Sequence, residues 1–288
     1  MTSAILVTGA TGNIGSEVVK QLSVIGANVR AAVRRSTDVD EIKGAKVELV
    51  EFDFDKPEII GAAFKGVEKL FLLTPFVPNM VEMGANLVER AKKVGIKHIV
   101  RLSAMGADIE PGITLGRWHR EVEKMVEVSG IPYTILRPNG FMQNYANFMG
   151  HTIKTQSAFY LPLGDSKTSY VDTRDIASVA VEALTKSGHE GKAYNITGPD
   201  SLSNYQIAEI LSTVIGRKIN YVNVSDDDAR KGMQGAGMPD WMVDALMELY
   251  TIQRAGYASD ISPVVERVTG KKPISFAQFA RDYAYVFN

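Results

Sequence analysis

The sequence predicts an α/β chain, a parallel sheet covered on both faces by helices, with a smaller, mostly helical lobe after it. Three observations carry this. Strand-like and helix-like segments alternate through the first 140 residues. The strands are almost wholly apolar, as they must be when both faces are covered. A glycine-rich turn joins the first strand to the first helix.

The elements follow in order. Ala4 to Thr8 is a short apolar run that ends in glycine. From Asn13 to Ile25 the spacing is helical, with Ile14, Val18, Leu22 and Ile25 on one face. Strands are predicted at Val29–Val33, Val47–Phe52, Leu70–Leu73, Ile99–Ser103 and Tyr133–Leu136. Helices are predicted at Met80–Val94 and Leu115–Ser129, stopped by Gly95 and Gly130. Beyond Asn139 the pattern changes. Ala158 to Val171 reads as a hairpin, Arg174 to Leu184 as a helix and Ala193 to Ile196 as a strand. From Asn204 the chain reads as helices broken at Gly216, Gly237 and Gly270. The expected division is a dinucleotide-binding core over 1–140. The remainder, 141–288, would complete the sheet over about 168–198 and build a substrate lobe from about 141–167 and 199–288.

The composition narrows the function classes. Net charge is -1, so no electrostatic reason exists to expect nucleic acid or an anionic membrane as partner. There is no cysteine, which excludes disulfides, thiolate catalysis and cysteine-bound zinc. A reducing cytoplasm is the expected location. No secretory signal is evident at Met1-Thr2-Ser3. No apolar run approaches the ~18 residues that span a bilayer. The histidines His98, His151 and His189 do not cluster as metal ligands would.

The strongest motif is Thr8-Gly9-Ala10-Thr11-Gly12-Asn13-Ile14-Gly15. Gly9 suits the tight turn, Gly12 a close approach to pyrophosphate, and Gly15 close packing of helix on strand. The helix that follows offers free N–H groups and the positive end of its dipole. Strand before and helix after is the context that a Rossmann-type dinucleotide site requires. The second strand ends Ala32-Val33-Arg34-Arg35-Ser36, without the acid that holds an NAD ribose. Arg34 and Arg35 suit a 2′-phosphate by charge and geometry, so NADP(H) is expected over NAD(H). Either arginine also fits a solvated surface or a stack on adenine. Asp53 and Phe54 follow the third strand. Asp53 would accept from the adenine amine or cap the helix that starts near Pro57. Thr74-Pro75-Phe76 and Ser103 stand at the ends of the next strands and would line the cofactor.

These residues together resemble the NmrA-like branch of the atypical short-chain dehydrogenase/reductases, which includes triphenylmethane-reductase-like and azoreductase-like proteins. The resemblance rests on the loop from Thr8 to Gly15, Val33-Arg34, Val100-Arg101-Leu102-Ser103 and Gly130 to Pro138. Asn139-Gly140-Phe141-Met142-Gln143-Asn144 and Val268 to Pro273 extend it over essentially the whole chain. It implies an NAD(P)H-dependent reductase of apolar or aromatic acceptors, or a redox-sensing regulator without turnover. One departure matters. None of the 11 tyrosines has lysine at the fourth position after it. By count from Ile131-Pro132-Tyr133, Leu115 stands where the usual Tyr would be and His119 where the Lys would be. Ordinary alcohol–ketone chemistry is therefore not expected, nor is isomerase or lyase chemistry on bound cofactor.

His119 is the candidate catalytic and cofactor-contacting residue. It borders the apolar stripe Leu115, Trp118, Val122, Met125 and Val126, and it titrates near neutral pH. Glu123 would orient it. The plainer alternative is a surface histidine paired with Glu123 one turn on. The resemblance implies that a Lys or His here touches the cofactor. Phe141, Met142, Tyr145, Met238 and Trp241 are the candidate substrate residues, a large adaptable apolar pocket if both segments roof the nicotinamide, and otherwise core. Gly232, Gly235 and Gly237 predict a mobile lid around the second cluster. The expected reaction is hydride transfer to a quinone, azo or triphenylmethane dye, or iminium compound. The alternative is an NADP(H) sensor acting through a protein partner. Homo-oligomers are left open.

Overall fold

The structure is a computed structural model and describes residues 4–34, 47–54 and 56–288. β1 (Ala4–Val7) leads into α1 (Asn13–Val24) and β2 (Asn28–Val33). Then come β3 (Val47–Glu51), α2 (Pro57–Ala63), β4 (Val67–Leu72), α3 (Met80–Val94), β5 (His98–Leu102), α4 (Thr114–Glu127) and β6 (Tyr133–Pro138). The second half contributes α5 (Gln143–Gln156), β7 (Ala158–Leu161), β8 (Lys167–Thr168), α6 (Thr173–Thr185) and β9 (Lys192–Ile196). It continues with β10 (Leu202–Ser203), α7 (Asn204–Ile215), β11 (Asn220–Asn223), α8 (Asp226–Gly235) and α9 (Asp240–Arg254). Short helices α10 (Val264–Thr269), α11 (Phe276–Asp282) and α12 (Ala284–Phe287) complete it.

Among the described residues, seven strands form one sheet in the order β3-β2-β1-β4-β5-β6-β9. Every pairing in it is parallel. The winding reverses between β1 and β4, and a crevice opens at that point beyond the strand ends. The inner strands need apolar side chains on both faces, and they have them. Val7, Phe71, Val100 and Leu136 face one layer, where α1 and α6 supply Val18, Leu22, Ile176 and Val179. Leu6, Leu70, Leu72 and Ile99 face the other, where α2, α3 and α4 supply Ile60, Leu87, Val122 and Val126. Gly84 lets α3 approach α4 closely, since a Cβ there would lie 2.7 Å from Val122 Cγ2.

A third core belongs to the lobe, where Tyr145, Phe159, Leu211, Tyr221, Phe276, Phe279 and Phe287 are buried together. Its local structure is written in caps. Ser203 and Gln206 form a reciprocal capping box at the start of α7, and Gly216 ends that helix in the left-handed conformation. Not every segment of the lobe stretch stays with the lobe. Val264 and Val265 of α10 are buried in the sheet's first core.

The hairpin expected over Ala158–Val171 does not form. β7 pairs in parallel with β11, and β8 pairs antiparallel with β10. The alternation that resembles a hairpin is real, because Phe159 and Leu161 are buried while Tyr160 is exposed. Its partner strand lies some sixty residues on, and local pattern does not encode that.

Among the contacts that tie lobe to sheet, two centre on buried aspartates. Fully buried Asp172 caps α6, accepting from the Arg174 backbone N–H at 2.9 Å, and takes Gln143 Nε2 at 2.9 Å. Asp175, also buried, accepts the Ile274 N–H at 2.7 Å. Burial pushes its carboxyl up from 3.8 to about 6. The native state therefore binds the extra proton, and stability from this group is lost as pH rises through about 6. Asp175→Asn keeps the acceptor and removes the charge. Thermal melts at pH 5 and pH 7 should show Asp175→Asn gaining on the wild type by a few degrees at pH 7. Parallel pH dependence of the two Tm values would refute this assignment.

Candidate functional site

The turn after β1 lies at the reversal of winding. Thr8 is fully buried, and its hydroxyl donates to Leu73 O and accepts from Leu73 N, both at 2.8 Å. The ends of β1 and β4 are locked side by side. Gly9 leaves the strand with φ +66, and a Cβ there would sit 2.7 Å from Leu73 Cδ2. Gly15 is tighter still. Its added Cβ would come within 2.0 Å of Gly9 O, inside any tolerable contact. Thr11, Gly12 and Asn13 are exposed, whereas Ile14 and Gly15 are buried. α1 starts at Gly12 with no side-chain cap and no acid in its first turn. Its leading N–H groups are thus left for an anion, and the absent side chains leave it room. This cradle fits a dinucleotide pyrophosphate.

Around the loop stand the other strand ends. Arg34 is exposed after β2 and pairs with no carboxylate among the described residues. Arg35 lies outside the described residues. Asp53 and Phe54 are half-buried after β3, and Phe54 sets its edge against Phe52 at 5.1 Å. Pro75 and Phe76 are half-buried after β4, while Thr74 is buried.

His119 does come to this edge, but not in the company expected. Its partner is Arg101, whose Nη2 lies 3.4 Å from His119 Nδ1. Arg101 is 0% exposed. It donates to Leu72 O at 3.2 Å, to Thr74 Oγ1 at 3.0 Å and to Leu102 O. Burial pushes Arg101 down to about 9, with Glu123 opposing, so it stays charged at neutral pH. Burial, and then Arg101, hold His119 well below its ordinary value. Both causes favour the neutral imidazole over the charged one.

Glu123 does not orient His119. It is 0% exposed and committed elsewhere. Ser103 Oγ donates to it at 2.5 Å, Arg137 at 2.9 and 2.7 Å and Arg120 at 2.9 Å. Burial alone would push this carboxyl up, but the hydrogen bonds from Arg137 and Ser103 hold it below the usual range. Asp108 closes the network on Arg137. The Ser103 hydroxyl, expected to line the cofactor, is thereby occupied inside the β5–α4–β6 junction. A buried carboxylate wins four donors this way, which an exposed i,i+4 pair with histidine would not provide.

An aromatic cluster roofs the edge. Phe76 lies 5.2 Å from Trp118 and 5.6 Å from Trp241, and the two indoles are 6.0 Å apart. One comes from the end of β4, one from α4 and one from α9. Glu248 of α9 accepts the Thr114 N–H at 2.5 Å and pins the two helices together. Met238 is half-buried just before α9. Phe141 is half-buried beyond β6 and packs against the sheet's first core. Met142 and Tyr145 are corrected: they are 2% and 1% exposed, packed in the lobe core. The Tyr145 hydroxyl is spent on Asn204 at 2.7 Å. Their spacing put them on the inner face of α5, and that face meets the lobe.

Three contributors escaped the sequence reading. Trp118 was legible only as helix stripe. Arg101 carried a signal, since a charge inside the buried strand His98-Ile99-Val100-Arg101-Leu102 must find partners. The Glu123–Arg137 pair carried none, because the two residues meet only across the fold. Among the described residues, no cluster of three His, Asp or Glu side chains could hold a metal ion.

The model of the NmrA-like family matches residues 1–279. An NAD(P)H azoreductase from Xenophilus azovorans is 40% identical over 283 residues, 98% of this chain and 99% of that one. The NADPH-dependent quinone oxidoreductase of Escherichia coli, solved with NADPH, superposes with a TM-score of 0.86 at 27% identity, covering 99% of this chain and 100% of its own. The triphenylmethane reductase of Citrobacter sp., solved with NADP(H), reaches a TM-score of 0.85 at 26% identity over 98% and 100% of the two chains. The similarity runs through the whole sheet and the lobe, and the chain belongs to the NmrA-like family.

Proposed function

We propose that this protein is an NADPH-dependent oxidoreductase that reduces flat, apolar, electron-poor acceptors: quinones, azo and triphenylmethane dyes, or iminium compounds. The observation that carries the reading is one edge of the sheet holding two things at once. These are the uncapped cradle of Gly9 to Gly15 and the aromatic roof of Phe76, Trp118 and Trp241. The azoreductase, quinone oxidoreductase and triphenylmethane reductase named above support the same class.

Each residue has a task in it. Amides of Thr11 and Asn13 bind the pyrophosphate, while the Gly12 N–H closes the loop on Gly9 O and the bare Gly12 Cα lets the phosphates approach. Arg34 and Arg35 select the 2′-phosphate, and Asp53 and Phe54 bound the adenine. Thr74, Pro75 and His119 flank the cofactor's inner half. Bound there, the nicotinamide supplies hydride to the acceptor. The aromatic roof, with Phe141 and Met238 beside it, stacks on the acceptor and excludes water. No Tyr–Lys pair is needed, because such acceptors yield a stabilised anion or a neutral reduced form that takes its proton from solvent. The lobe, about 141–167 and 199–288 apart from α10, supplies the acceptor's side. Among the described residues, no helix is long and apolar enough to cross a membrane. A reducing cytoplasm suits a chain without cysteine.

NADPH oxidation at 340 nm against a panel of these acceptors, with NADH in parallel, tests the reading. Saturable turnover with NADPH preferred is expected. Arg34→Ala should narrow that preference by about tenfold, the loss of one charge-assisted hydrogen bond. Tight binding without oxidation of any acceptor would favour the sensor reading instead. α8 buries none of its residues, and Gly232, Gly235 and Gly237 lie open. NADPH should therefore slow limited proteolysis within 232–241 several-fold. Cleavage there at an unchanged rate would remove the lid from the account.

A further inference from the structure

Arg101 is an expensive residue to keep. It lies on a strand covered on both faces, at 0% exposure. Burying a guanidinium without a carboxylate in contact is costly unless its donors are satisfied. The nearest carboxylate, Glu123, is already taken by Ser103, Arg120 and Arg137. Arg101 spends its donors instead on Leu72 O, Leu102 O, Thr74 Oγ1 and His119 Nδ1, and its Nε–H has no partner among the described residues. The backbone acceptors close the ends of β4 and β5. The remaining donor reaches His119, a half-buried side chain of α4.

That contact has a chemical direction. A guanidinium only donates, so Nδ1 of His119 must be the acceptor and the ring proton sits on Nε2. Among the described residues Nε2 makes no hydrogen bond, and it is not an enclosed atom. Protonated, His119 would set an N–H against the guanidinium N–H at 3.4 Å. The other charged groups give it no relief. Arg120 and Glu123 of α4, Arg137 of β6 and Asp108 after β5 are tied to one another, and Glu248 of α9 holds the Thr114 N–H.

We propose that Arg101 is a positioning residue that fixes His119 as its neutral Nε2–H tautomer, so that the cleft offers the acceptor an uncharged hydrogen-bond donor in place of a titrating acid. The inference rests on the reductase reading for what the donor meets. As hydride arrives at one atom of the acceptor, an electron pair moves to its oxygen or nitrogen, and Nε2–H hydrogen-bonds the charge forming there. His119 keeps its proton, and the product anion is protonated by water. This favours acceptors with a heteroatom conjugated to the reducible position, such as quinones and azo compounds.

Nitrogen NMR of imidazole-labelled protein reads the tautomer directly, with His119→Gln to assign its signals among the 4 histidines. The ring should show a protonated Nε2 and a bare Nδ1, with no titration between pH 8 and pH 6. Arg101→Met should bring a titration back toward the ordinary histidine range, and with it an acid limb in kcat/KM absent from the wild type. His119→Gln, which keeps a side-chain N–H donor but has no proton to give, should retain activity at least tenfold above His119→Ala. A wild-type ring that titrates near 6.5 or carries its proton on Nδ1 would overturn the proposal, as would equal loss in the Gln and Ala variants. If Arg101→Met does not fold, the wild-type tautomer and the Gln–Ala comparison still decide. The tautomer is read without turnover, so absence of any reductase activity would fall on the reductase reading alone.

Discussion

The seam between β1 and β4 governs the rest of the structure. Here the winding of the sheet reverses, and the crossovers diverge to its two sides and open a crevice beyond the strand ends. Thr8 closes the seam with a hydroxyl that bonds both polar groups of Leu73. Gly9 must then turn away from Leu73, and Gly15 must pass under the carbonyl of Gly9. A side chain at Gly15 would lift α1 off the strand, and one at Gly9 would strain its left-handed backbone and meet the Leu73 side chain. With none, the helix begins within reach of the crevice, and its unpaired N–H groups point where phosphates belong. The cradle follows from the packing of the sheet.

Charge is arranged around the same edge in two separate systems. One is closed: fully buried Glu123 gathers Ser103, Arg120 and Arg137 and welds β5, α4 and β6. The other is open: among the described residues Arg101 has no carboxylate in contact, and it leans on backbone carbonyls, Thr74 and His119. The closed system satisfies a buried anion and fixes the helix. The open one places a cation beneath the cleft, where low dielectric makes its field felt. The side chain that stands between them is His119, in contact with Arg101.

Much of this was legible in the residues. Apolar strands, glycine stops and the loop from Thr8 to Gly15 carry local physics, and local physics reads from sequence. Arg34 stands where its position after β2 placed it. What could not be read depends on contacts between distant segments. β7 finds β11 and not β8, because the alternation names a face and not a partner. Met142 and Tyr145 turn into the lobe core, because an apolar helix face does not say what it faces. Glu123 abandons His119 for Arg137, fourteen residues away in sequence and adjacent only across the sheet edge. Trp118 and Trp241 meet although α4 and α9 lie far apart in the chain, with β6 to α8 between them.

The central claim is that one cleft joins the loop after β1, the end of β4, α4 and the segment leading into α9. Amide hydrogen exchange with and without NADPH tests it most directly. The account predicts joint protection of Gly12 to Gly15, of Thr74 and Phe76, and of residues 232–241. Protection confined to a single one of these segments, or falling on the α7–β11 side of the lobe, would contradict it.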